Sequence, residues 1–110
     1  MKFLMLVAMD PDRPENPDPT GTVPVEEWVE KNDAAGIRVI GERLRPAAEA
    51  RVVRRREGSL LVTEGPFAET NEWIAGFDVL ECADLDEAVE VASRHPMAAA
   101  GRLELRAFWE

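Results

Sequence analysis

The chain predicts an α+β fold, with two helices on one face of a mainly antiparallel, split β-α-β sheet and an added β-hairpin. Three observations carry that expectation. Apolar periodicity reads strand, helix, strand, hairpin, strand, helix, strand along 110 residues. Right-handed crossovers then place both helices on the same side of the sheet. The first strand is apolar on both faces, which assigns it to the sheet centre.

Each element has a local reason. Residues 3–9 run Phe-Leu-Met-Leu-Val-Ala-Met and read as that central strand. Five prolines between Pro11 and Pro24 prevent helix or ladder through the next segment, so it reads as a long exposed loop. Pro24 suits a first helical turn, and Val25, Trp28 and Val29 then recur at helical spacing until Gly36. Ile37, Val39 and Ile40 make a short strand. Residues 51–56 and 59–63 flank Glu57-Gly58 as a hairpin. Residues 74–81 form another strand, loosened by Gly76. Asp84 with Glu87 gives the pattern of a helix start, and Leu85, Ala88, Val89 and Ala92 follow as one apolar stripe. Pro96 ends that helix after His95. Leu103, Leu105, Ala107 and Trp109 alternate with polar residues in a last, half-buried strand.

Composition narrows the function classes. Thirteen Lys+Arg against 22 Asp+Glu leave a net charge of -9, which disfavours nucleic-acid binding through phosphate neutralisation. One Cys leaves no disulfide within the chain and fits a reducing, cytoplasmic setting. One His and one Cys do not suffice for a structural zinc site. The apolar start is too short to span a bilayer, so no membrane association is expected. One domain over residues 1–110 follows from the length. The doubly apolar first strand and Phe108 on the exposed side imply that the sheet's second face is covered too, most simply by a second copy. A homodimer with sheets packed face to face is therefore expected.

Residues 61–72, Leu-Val-Thr-Glu-Gly-Pro-Phe-Ala-Glu-Thr-Asn-Glu, resemble the signature of the YCII-related, or DGPF-domain, family. That signature reads Asp-Gly-Pro-Phe, then Ala-Glu-Thr-Lys-Glu, then a glycine-containing strand. The hairpin before it, the helix start at Asp84, the His95-Pro96 helix end and the closing strand with Trp109-Glu110 extend the resemblance over nearly the whole chain. It implies a ferredoxin-like subunit that pairs into a dimeric α/β barrel. It also implies either cofactor-free acid–base chemistry (isomerisation or elimination) on a small ring compound, or a non-catalytic regulatory module binding a sigma factor or another protein. The resemblance is specific to a family and not to an activity. The family's Asp is Glu64 here, and no His lies between Pro24 and Gly36, so a His–Asp dyad does not transfer intact.

Candidate site residues follow from these readings. His95, the only residue titrating near neutrality, is an acid–base candidate or a cation resting on the last carbonyls of the second helix. Glu64, before a Gly-Pro turn, is the second proton carrier or a turn anchor. Trp28, Phe67 and Trp73 are expected either to line a small-molecule pocket between sheet and helices or to fill the core. Glu69 and Thr70 are expected to contact a ligand or to cap a turn. Arg51, Arg54, Arg55 and Arg56 form the one basic cluster, an anion site or an edge guard on the hairpin. No metal and no cofactor is expected.

Overall fold

The computed structural model describes residues 1–65 and 74–109. Strand β1 (Lys2–Ala8) lies between β5 (Ile74–Glu81) and β6 (Arg102–Ala107), and β2 (Arg38–Arg43) pairs with the far side of β5. All these pairings are antiparallel, in the order β2-β5-β1-β6. Helix α1 (Val25–Ala34) connects β1 to β2 and α2 (Leu85–Ser93) leads from β5 towards β6. The architecture is the ferredoxin-like α+β fold with a hairpin inserted between β2 and β5.

Alternation along the strands creates the core. Phe3 and Met5 of β1 and Leu80 of β5 point to the helix side and pack with Trp28 of α1 and Ala88 and Ala92 of α2. Leu4, Leu6, Phe77 and Val79 alternate to the opposite face and stay half-buried. That face carries no layer of its own among the described residues.

The helix ends are chemically defined. Asp84 Oδ1 accepts the Glu87 N–H at 2.8 Å, and Glu87 Oε1 accepts the Ala83 N–H at 3.1 Å. Such a reciprocal cap contributes about 1 kcal/mol. The Val23 N–H donates to the Arg94 carbonyl at 2.9 Å, joining the entrance of α1 to the exit of α2. Gly36 (φ 72°) turns the chain from α1 into β2.

Three details differ from the sequence reading. Leu85 and Val89, assigned to the apolar stripe of α2, are about half exposed, because α2 packs through Ala88 and Ala92, with Val91 at the side. The chain beyond Pro96 is not simply a stop: it forms a further short helix, α3 (Met97–Ala100), with Pro96 preceding it in helical geometry. Trp109 stands free of the last strand, which ends at Ala107.

The hairpin forms a separate two-stranded sheet of β3 (Arg51–Arg56) and β4 (Ser59–Glu64). Glu57 (φ 52°) and Gly58 (φ 78°) both take left-handed values, the sign pattern of the tight turn that matches strand twist. Both strands are largely exposed, and Val53, Leu60, Leu61 and Val62 carry open apolar surface.

Candidate functional site

A cavity of about 580 Å³ lies between the helix side of the sheet and the helices, within the size range of small-molecule sites. Its wall is mostly apolar, with Val7, Val29 and Met97 among its residues. Trp28 forms one side. A smaller groove of about 230 Å³ lies between α1 and α2, with Trp28 again in its wall.

Two buried polar side chains line the larger cavity. Asp78 is 7% exposed and His95 is 5% exposed. Asp78 arises from the register of β5: Gly76, Asp78 and Leu80 form its buried face, so the carboxylate points to the helix side. There Asp78 Oδ1 accepts the Arg38 Nε–H at 2.7 Å. Each nitrogen of Arg38 is in turn engaged. Nη1 donates to Asp33 of α1 at 3.1 Å, and Nη2 donates to the Gly41 carbonyl at 3.0 Å. The chain Asp33–Arg38–Asp78 thus ties α1 to β2 and β5.

Gly41 makes room for this pair. A Cβ there would overlap Asp78 Oδ1 and stand 2.6 Å from Arg38 Nη2. Burial raises the Asp78 carboxyl above the usual carboxylate value, while the hydrogen bond and charge of Arg38 pull it back down.

His95 follows the end of α2. Its Nδ1 accepts the Met97 N–H at 3.0 Å, which leaves Nε2 to carry the hydrogen of the neutral ring. The ring meets Trp28 edge-on at 4.8 Å between centroids, and Trp28 Nε1–H donates to the Val91 carbonyl at 2.9 Å. Burial lowers the His95 pKa below its ordinary 6.5. The ring is therefore a neutral donor in the cavity wall, not a cation on the last turn of α2.

That shift has a measurable consequence. Between the lowered folded value and 6.5, the unfolded chain binds a proton that the folded chain does not. Stability then rises with pH through this window and is lost as pH falls below 6.5. The urea midpoint of the wild type should drop between about pH 8 and about pH 5 more steeply than that of His95→Gln. Parallel curves for the two proteins would remove the assignment.

The other sequence candidates fall elsewhere. Glu64 ends β4, with its side chain 82% exposed and 3.6 Å from Arg51 Nη2, and it is not among the cavity's lining residues. Phe67, Glu69, Thr70 and Trp73 lie outside the described residues. Burial pushes the Cys82 thiol up, as does the nearby Glu87, which keeps it protonated. Among the described residues, no group of three or more His, Cys, Asp or Glu is placed to hold a metal ion.

Asp78, Arg38 and Gly41 went unnoticed in the sequence. The available signal was one acid at an inward position of an otherwise apolar, alternating strand. Its partner is 40 residues away and could not be read locally.

The YCII-related domain model matches residues 1–110. The chain belongs to the YCII-related family. An uncharacterised protein of Rhizobium meliloti (strain 1021) is 46% identical over 50 residues, which make up 46% of this chain and 40% of that protein. The match therefore spans less than half the length of that relative. No helix among the described residues of this YCII-related chain is long and apolar enough to cross a membrane.

Proposed function

We propose that this YCII-related protein binds a small, largely apolar molecule in the cavity between sheet and helices, as one half of a homodimer. The cavity itself carries the reading: about 580 Å³ of mostly apolar wall with a few fixed polar groups is the usual form of a small-molecule site. Acid–base chemistry at this site falls to Asp78 and His95, the two buried titratable groups of its wall. Glu64 enters such a scheme only if the hairpin or a second copy carries it there.

Two exposed apolar features support the homodimer. The half-buried face of β1 and β5 is one. The other is the hairpin, since an isolated two-stranded sheet is marginal in water without a surface to pack on.

Saturation-transfer NMR with a panel of small ring alcohols, ketones and carboxylates tests the binding. Signal is expected for some members and should weaken in Met97→Trp, whose indole intrudes on the cavity, with the circular dichroism unchanged. Absence of signal across the panel at millimolar concentration overturns the reading. Light scattering should give twice 12.3 kDa for the wild type. A monomer mass at micromolar concentration overturns the dimer and leaves the cavity untouched.

A further inference from the structure

The cavity presents its polar groups in a fixed sense. Asp78 Oδ1 is taken by Arg38, and Oδ2 has no hydrogen-bond donor among the described residues although the side chain lines the cavity. Asp78 therefore offers an acceptor. His95 Nδ1 is taken by the Met97 N–H, so the neutral ring offers Nε2–H, a donor. Neither group can easily exchange its role. Arg38 is held by Asp33 and the Gly41 carbonyl, and Gly41 leaves the space that keeps Asp78 against it.

We propose that the cavity selects a small, uncharged, largely apolar molecule carrying both a hydrogen-bond donor and an acceptor, such as a hydroxyl and a ketone. The hydroxyl donates to Asp78 and the carbonyl accepts from His95. The selection rests on the binding reading above and sharpens it to a ligand class. A carboxylate placed at the same point would set an anion against Asp78; Arg38 offers it little compensation because each of its nitrogens is already engaged, and the other cation of the lining, Arg43, is matched there by Glu42. A ligand that lacks the hydroxyl displaces water from Asp78 Oδ2 without giving it a donor in return, and such a loss is costly.

The probes are 3- and 4-hydroxyacetophenone, their methyl ethers, and the corresponding ethylphenols, titrated by NMR at neutral pH. The better hydroxyacetophenone should bind the wild type about tenfold more tightly than its methyl ether, and more tightly than the ethylphenol. Asp78→Asn keeps an oxygen for Arg38 and turns an NH₂ towards the cavity, so the preference for hydroxyl over ether should disappear. Retained affinity for the ether shows that the variant's cavity is intact. His95→Phe keeps an aromatic edge near Trp28 and should erase the preference for acetyl over ethyl. Equal wild-type affinities for hydroxyl and ether overturn this inference while leaving the cavity a binding site. Failure of every probe to bind the wild type overturns both. If Asp78→Asn does not fold, the wild-type comparison of hydroxyl with ether decides alone.

Discussion

Gly41→Ala is expected to lower stability by about 3 kcal/mol, because one methyl group breaks a buried ion pair. The new Cβ would occupy the position of Asp78 Oδ1 and crowd Arg38 Nη2 at 2.6 Å. Two escapes exist and both are unfavourable. Either β2 shifts away from β5, or the carboxylate rotates from the guanidinium and is left buried without its partner. For a chain of this size the melting temperature should fall by more than about 10 °C. The exposed neighbour substitution Val39→Ala should change stability by no more than about 0.5 kcal/mol. Equal melting temperatures for Gly41→Ala and the wild type would show that the pair does not depend on bare backbone at position 41.

Trp28→Ala is expected to cost about 3–5 kcal/mol, the range for deleting a large buried aromatic. Trp28 is 1% exposed and is shared by the core, the cavity and the groove between the helices. Its removal also leaves His95 without its edge-on neighbour and takes from the Val91 carbonyl its side-chain donor, leaving it only the 3.4 Å bond from the Arg94 N–H. Trp28→Phe separates these contributions. It keeps one six-membered aromatic ring and loses the five-membered ring of the indole with its N–H, so it should cost about 2 kcal/mol. Urea unfolding of the three proteins measures both steps. A loss of less than about 1.5 kcal/mol for the alanine variant would mean that the cavity wall collapses onto the gap.

The sequence made the fold readable where periodicity was strong. The doubly apolar β1, the Pro24 start of α1, the Glu57-Gly58 turn and the Asp84 cap all rest on local rules, and the structure places each element accordingly. Errors arose where tertiary context decides. Leu85 and Val89 have the spacing of a buried stripe, yet α2 packs through Ala88, Val91 and Ala92, which turns those two side chains outward. Pro96 does mark the end of α2, which stops at Ser93, but the same proline also precedes the short helix α3, which local rules do not predict. The site was legible only in part. His95 stands out by its chemistry and Trp28 by its size, and both line the cavity. Asp78 and Arg38 look like ordinary surface charges until β5 supplies the inward register and β2 the neighbouring strand. Glu64 attracted attention through its place in a motif, and the fold puts it in a solvent-facing ion pair.

The ion-pair chain from Asp33 through Arg38 to Asp78 makes the cavity mechanically lopsided. On that side α1 cannot lift without breaking the bonds from Arg38 Nη1 to Asp33 Oδ1 and Oδ2. On the other side stands α3, a single turn with no buried residue, preceded by the lining residue Pro96 and begun by Met97. The edge without such a tie is the one expected to open for an entering molecule. Amide hydrogens of residues 98–101 should therefore exchange with solvent far sooner than those of β5, and a bound molecule should slow the former while leaving the latter unchanged.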